Sequence, residues 1–544
     1  MLPVSVLVPL ALITQFDFVE NAWERGLTFT HDSGSREKNY IIEAKGAGLA
    51  VADVNGDGWD DIYFVNGAPL QGKASASPPR HRLFLNRKDG TFRDATEESG
   101  LGDTGYGAGA YFADVDNDGD LDCYLTQFGP NRLYRNEGAG RFVPVENAGG
   151  AQNTGWSTGA AFGDVNGDGF LDLYVGNYAQ FTFALADRLG KFGSYYGRLV
   201  FIGPASFQPA EDNLFINNGD GTFRDETKAR GINSFQAGRA FTVHFSDLDD
   251  DGDLDIYVAN DANYNHLYEN QGGGFFTDVS LLSGAALSED GSAQSGMGVA
   301  VRDTDGDLDQ DIVVTNFEGE YNILYRNEGN LRFTDAAYAS GAGEGSIPKL
   351  SFGVLLEDFD NDSWPDLHAA CGHVYPVADD IPSLEGYAQT GLIYHNQGQG
   401  IFKRVTESSG PGLQIKGVSR GSAAADFDRD GDMDIVISNL DGRPFFLENR
   451  SPSGNWVDVA LQEERGMPAY GARVWITAGG RRQTAELYSS DSFLSQGSAV
   501  LHFGLGKAET VDAITVRWPD GSRNESKAIQ ANQRIVLRKE KRQP

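Results

Sequence analysis

The chain is short of cysteine, histidine and positive charge. Of its 544 residues only Cys123 and Cys371 are cysteines, which excludes the many-bridged framework of a small secreted scaffold. Lysine and arginine number 44 against 78 aspartates and glutamates, for a net charge of −34. Phosphate-backbone binding needs clustered basic side chains, so nucleic acid is excluded as a partner. No apolar run reaches the roughly 20 residues of a transmembrane helix. The run Leu2 to Ile13 has the length of a secretory h-region, although no Lys or Arg precedes Arg25. Residues 1–14 are therefore expected to be a leader, with a buried N-terminal strand as the alternative, and the protein is expected to be secreted, periplasmic or extracellular. G-x-S-x-G, H-E-x-x-H and phosphate-loop motifs are also missing, and no catalytic residue is assigned.

What the chain has in abundance is a repeated acidic nonapeptide, D-x-[DN]-x-[DN]-G-x-x-D, present seven times. The copies place Asp53, Asn55, Asp57, Trp59 and Asp61 at positions 1, 3, 5, 7 and 9, then Asp114, Asp116, Asp118, Asp120 and Asp122. The third has Asp164, Asn166, Asp168, Phe170 and Asp172, and the fourth Asp247, Asp249, Asp251, Asp253 and Asp255. The fifth has Asp303, Asp305, Asp307, Asp309 and Asp311; the sixth Asp358, Asp360, Asp362, Trp364 and Asp366; the seventh Asp426, Asp428, Asp430, Asp432 and Asp434. Like charges about 4 Å apart repel by roughly 1 kcal/mol in water and about 4 at an effective dielectric of 20, so such loops anticipate a cation.

Flanking residues repeat in the same phase. A glycine lies five residues before the first Asp (Gly48, Gly109, Gly159, Gly298, Gly353, Gly421), with Thr242 in the fourth copy. An alternating strand follows each loop, then a second one ending at Asn86, Asn136, Asn217, Asn270, Asn327, Asn396 or Asn449, then turn residues and a Phe. This is the pattern of an antiparallel meander with hairpin turns. Units of this length suggest propeller blades. Six copies end in a segment such as FRDATEESGL, the seventh does not, and a matching FVENAWERGL begins at Phe18. The expectation is an all-β chain: a seven-bladed β-propeller over 15–452, closed by its N-terminal strand, followed by a small β-rich, sandwich-like domain over 453–544.

Side chains at positions 1, 3, 5 and 9 with the carbonyl of position 7 form an all-oxygen set. It suits Ca²⁺, which takes 6 to 8 oxygens at roughly 2.3 to 2.6 Å. An EF-hand would need Glu at position 12, where this chain has Phe64, Leu125, Val175, Val258, Val314, Ala369 and Ile437. Up to seven Ca²⁺ sites are expected. The fifth and sixth loops depart most, carrying Leu308 and Ser363 where Gly is wanted, with Pro365 beside the latter.

Loops such as DVNGDGFLDLYVGN resemble the FG-GAP or VCBS repeats of integrin-α-like propellers. The tail, with GARV at Gly471, LSQ at Leu494, HFGLG at His502 and VRWPDG at Val516, is similar to the ASPIC/UnbV domain. Together they resemble a bacterial cartilage acidic protein-like family. That resemblance implies an extracellular calcium-binding protein and supplies no catalytic mechanism.

Three further features stand out. The insertion 179–209 is rich in Phe and Tyr and carries Arg188, Lys191 and Arg198; it is expected to cap the propeller, or else to present Tyr195, Tyr196 and Arg198 to a ligand. Cys371, His373 and His368 could contribute to a transition-metal or acid/base site, but a structural role is the expectation. Cys123 and Cys371 fall in blades on different sides of the ring, too far apart for a bond that needs Cα atoms within about 7 Å. The functional reading is a monomeric binding and adhesion module for a protein or glycan. The alternative is a carbohydrate-active lyase or dehydratase, with the insertion aromatics and His373 at the channel mouth.

Overall fold

The computed structural model describes residues 15–68, 70, 78–232 and 236–540; the run expected to be a leader lies outside them. Seven four-stranded antiparallel sheets succeed one another along the chain. The first comprises Leu49–Ala52, Asp61–Phe64, Arg82–Asn86 and Phe92–Asp94, running from the innermost strand outward. Outer strands begin at the repeated Phe residues, Phe92, Phe142, Phe223, Phe276, Phe333 and Phe402. The seventh sheet takes its outer strand from the start of the chain, Phe18–Glu20 lying antiparallel to Phe445–Asn449 with Phe18 opposite Asn449. Innermost strands pack on one another in order, and Ser419–Ala425 of the seventh returns against Leu49–Ala52 of the first. The ring is therefore closed by the chain's own beginning.

Convergence on the ring axis explains the repeated glycine. A Cβ on Gly159 would lie 2.3 Å from the Phe241 carbonyl oxygen, and one on Gly298 2.2 Å from that of Phe352, each on the next inner strand. At the exception, the Thr242 hydroxyl lies 2.7 Å from the Met297 carbonyl and 3.0 Å from that of Ser492. A polar bridge replaces close backbone contact there.

The repeated asparagine does more than begin a turn. Its side-chain amide donates at 2.8–3.0 Å to a loop carbonyl of the preceding sheet: Asn86 to Phe427, Asn136 to Val54, Asn217 to Val115, Asn270 to Val165, Asn327 to Leu248, Asn396 to Thr304 and Asn449 to Phe359. Every sheet is thus latched to the one before it, including the seventh-to-first junction.

From Asn455 the chain forms two further sheets. One has the order Arg481–Glu486, Arg473–Ala478, Thr510–Arg517, Arg523–Gln530; the other Val500–Gly506, Asn455–Gln462, Gln533–Arg538, the last pair parallel. Their facing residues, among them Val457, Val474, Ile514 and Phe503, share one core with Tyr111 and Phe162 of the ring. The connection between Glu486 and Val500 enters the ring's channel and touches all seven inner strands. Ser489 bonds the Phe162 carbonyl (2.6 Å), Ser490 that of Val243 (2.8 Å), and Ser492 pairs with the backbone of Val299. The Val354 amide donates to the Ser492 hydroxyl (3.0 Å), which lies 2.9 Å from that of Ser422. Gln496 pairs with the backbone of Leu49 and Val51, while its side chain accepts from the Phe112 amide at 2.7 Å. Orphaned polar groups of inner strands are costly to bury, and this plug satisfies them.

The insertion covers the opposite end. It is closed at its base by pairing of Ala179 with Pro209 and contains a helix, Phe183–Arg188, and a hairpin, Phe192–Tyr195 with Arg198–Phe201. Its Phe181, Phe201 and Phe207 join Trp156, Phe241 and Phe352 in one apolar cluster with Phe493 and Leu494 of the plug. The expected cap is what the fold contains.

Candidate metal sites and the capped face

All seven acidic loops fold alike. The carboxylate at position 1 accepts from the amide at position 6, as Asp53 does from Gly58 and Asp426 from Gly431. Position 5 accepts from the amide at position 7, at 2.9–3.0 Å throughout. Position 9 is buried in every copy and accepts from the latch asparagine's backbone N–H at 2.8–2.9 Å. Positions 4 and 6 are both left-handed. Gly56 and Gly58 have φ of 72° and 89°, and Leu308 and Ser363 are held at 82°. That conformation costs a residue with a Cβ about 1–2 kcal/mol, so the two departing loops keep the shared geometry at the expense of strain.

Carboxylate oxygens converge within 4.8 Å in Asp114/Asp116/Asp122, Asp247/Asp249/Asp251, Asp303/Asp305/Asp311 and Asp358/Asp360/Asp366. Burial, reinforced by neighbouring loop carboxylates, pushes Asp53, Asp114 and Asp303 up to about 6. It pushes Asp122, Asp172 and Asp311 to about 8. Asp116 Oδ1, Asp247 Oδ1 and Asp434 Oδ2 are buried without a partner among the described residues. Hard oxygens, convergence and buried carboxylate oxygens left without partners fit a hard divalent cation. The side chains of Trp59 and Trp364, whose carbonyls belong to the expected set, carry the guanidiniums of Arg429 and Arg481 at 3.9 and 3.1 Å from their ring centroids.

Sequence reasoning missed the basic side chains that approach these loops. Arg517 of the C-terminal unit pairs with Asp247 and, at 3.0 Å, with Asp250. Arg326 pairs with Asp305 at 3.0 Å and Arg25 with Asp428 at 3.2 Å. His395 lies 3.4 Å from Asp360 and 3.3 Å from Asp362; burial opposes its charge, but hydrogen bonds to both aspartates prevail and hold it up at about 10. Arg326 and His395 occupy equivalent places, immediately before the latch asparagine, a register the repeat does contain.

On the capped face the structure joins two candidates named from sequence. Tyr195 donates to Glu318 at 2.6 Å and lies 3.1 Å from His373 Nε2, while Tyr196 reaches Glu318 at 3.3 Å. His373 Nδ1 accepts from the Tyr375 amide at 3.0 Å, so Nε2 carries the proton and donates to Tyr195. Burial lowers His373 to about 4, leaving it neutral. Cys371 is free, buried and pushed up to about 11 by burial; it lies 3.5 Å from the Ser351 hydroxyl. Cys123 is likewise free and buried, and His368 is wholly buried inside the sixth sheet. Arg420, unremarked in the sequence, is fully buried and donates to the carbonyls of Ala44, Gly372, Ser419 and His373. Along the hairpin Phe192, Tyr196 and Leu199 are 47, 60 and 76 % exposed, and Arg198 is exposed beside Tyr196 at the turn.

Among known proteins, the FG-GAP-like repeat family matches residues 53–125, 114–175, 199–258, 247–314, 303–369 and 378–437, and the ASPIC and UnbV family matches 462–544. Cartilage acidic protein 1 of Mus musculus is 28% identical over 352 residues, covering 62% of this chain and 51% of that protein; its Xenopus tropicalis counterpart is 29% identical over 302, covering 54% and 43%. The chain spans about half the length of the curated relatives it matches. Among solved structures, an Agrocybe aegerita lectin that recognises terminal N-acetylglucosamine aligns with a TM-score of 0.40 at 18% identity, over 73% of this chain and 86% of the lectin. A COPII outer-coat vertex aligns with a TM-score of 0.38 at 10% identity, over 89% and 98%.

Proposed function

The chain belongs to the FG-GAP-like repeat family, and from that premise we propose that it is an exported, calcium-stabilised binding module whose ligand, a protein or a glycan, is taken on the capped face. The observation that carries the calcium reading is the convergence of buried carboxylates in loops that fold alike around the ring. Extracellular calcium modules bind at about 10⁻⁴ to 10⁻³ M. At free calcium ten times the dissociation constant, linkage stabilises by about 1.4 kcal/mol per loop. Seven loops would then supply roughly 10 kcal/mol, comparable with the whole stability of an ordinary fold. Sites this weak fill only outside the cytosol, which supports export. Full occupancy would change the net charge from −34 to −20.

For the ligand, the loop-side channel is taken by the plug, whereas the hairpin leaves aromatic, aliphatic and guanidinium groups in solvent. Of these, tyrosine and arginine are enriched in binding hot spots. Binding is tested on glycan and secreted-protein arrays with the intact chain and with Tyr196→Ala/Leu199→Ala in millimolar calcium. The double variant should lose the ligands that the intact chain retains; equal binding by both refutes the assignment. Calcium is tested by melting the chain with and without chelator, where identical midpoints and no bound ion on elemental analysis reject it.

The second reading, a lyase or dehydratase, draws support from the Glu318–Tyr195–His373 chain of hydrogen bonds, along which a proton could pass. Incubation with acidic and neutral polysaccharides should give unsaturated product absorbing near 235 nm that Tyr195→Phe abolishes; no product across the panel eliminates it.

A further inference from the structure

Where the plug enters the ring, a cavity of about 50 Å³ lies between the inner strands of the fifth to seventh sheets and the C-terminal unit. Its lining includes Arg302, Glu357, Glu486, Tyr488 and Asp491, none of which occupies a ligand position in the acidic loops. A water needs roughly 10–15 Å³ of such space, so an ion with a few waters fits. The carboxylates here are poorly compensated. Arg302 pairs with Glu357 at 3.0 Å and spends its other amine on the His502 carbonyl at 2.7 Å. Asp491 accepts one backbone bond, from Ser492, through Oδ1. Glu486 is 2 % exposed; its Oε1 accepts from the Asp247 amide at 3.3 Å, and its Oε2 has no partner.

Charge around this space does not balance. Among the residues that line it, the carboxyls of Glu357, Glu486 and Asp491 face a single cation, Arg302, a formal excess of two negative charges that burial opposes by pushing Glu486 and Asp491 up to about 8. Buried charge persists where it is paired or coordinates a metal, and carboxylate with water is the donor set of a hard divalent cation.

We propose that this cavity binds one Ca²⁺, an eighth site formed only when the C-terminal unit is docked in the ring, with Glu486 and Asp491 as its principal carboxylates. The ion would lock the plug, so that calcium links the two parts of the chain as well as holding each loop.

Crystals of the full chain soaked in terbium or strontium should show an anomalous peak in the cavity in addition to any in the loops. Filled loops with no cavity peak overturn the proposal; a cavity peak with vacant loops upholds it while rejecting the loop reading; no peak anywhere rejects both. In solution, Glu486→Gln and Asp491→Asn should each bind one equivalent of calcium fewer than the natural chain in equilibrium dialysis. Unchanged stoichiometry in both variants shows the carboxyls to be merely protonated and overturns the proposal. The crystallographic arm needs no variant and stands if an amide substitution prevents folding.

Discussion

Replacing Gln496 should loosen the ring from its axis outward. The side chain is wholly buried; its Oε1 accepts from the Phe112 amide at 2.7 Å, and its Nε2 donates to the Phe112 carbonyl at 2.9 Å and lies 3.0 Å from the Tyr470 hydroxyl. Gln496→Ala keeps the backbone pairing with Leu49 and Val51 but orphans the Phe112 amide. The Phe112 carbonyl keeps Tyr470, which donates to it at 3.1 Å. An unsatisfied buried donor costs about 1–3 kcal/mol, and the vacated volume raises the expected loss to about 3 kcal/mol. Gln496→Glu preserves shape but turns a carboxylate oxygen toward the Phe112 carbonyl, so it should cost more than alanine despite better packing. The assay is urea unfolding by tryptophan fluorescence in saturating calcium. A loss under about 0.5 kcal/mol for alanine, or a glutamate variant as stable as the natural chain, would refute the claim that the plug acts by satisfying inner-strand polar groups.

Asn270→Asp puts a carboxylate before the Val165 and Leu254 carbonyls that the amide now serves at 3.0 and 3.2 Å, and thermal melting should show a loss of about 3 kcal/mol. Leu308→Gly relieves the left-handed strain at φ 82° and should stabilise by about 0.5–1 kcal/mol after the entropic cost of glycine, read from the urea midpoint. Tyr195→Phe removes the ties to Glu318 and His373, so limited proteolysis should cleave between residues 188 and 203 several-fold faster with the melting temperature little changed. Metal-free protein should gain stability as pH falls. Buried loop aspartates have folded values raised to about 6–8 against an ordinary value near 4. Their contribution is therefore full below pH about 4 and lost as pH rises through 6 to 8. Differential scanning in chelator between pH 8 and 5 checks this; a midpoint that falls with pH contradicts it, and added calcium should flatten the slope.

Much of this architecture was legible in the sequence because it is periodic. Nine-residue loops in phase with a glycine before and an asparagine after give strand order and the inner and outer ends of each sheet, and FVENAWERGL at Phe18 marks the strand that joins Phe445–Asn449. Local spacing also pointed to oxygens that gather, positions 1, 3 and 9 in the second, fifth and sixth loops and positions 1, 3 and 5 in the fourth. The asparagines were visible only as turn residues, because their donor targets lie in the preceding sheet, for example 102 residues away for Asn217 and Val115.

Long-range packing alone decided the rest. Nothing in SSDSFLSQ announces that four serines, a glutamine and two apolar side chains will fill a channel lined by seven strands; composition says only polar loop. Arg517 could not be matched to Asp247 across 270 residues, nor Tyr195 to His373 across 178, because ion pairs and hydrogen bonds between distant segments leave no spacing to read. Repetition wrote the wheel into the sequence; the axle, the latches between spokes and the charges gathered around the hub exist only once the ring has closed and brought remote groups within a few ångströms.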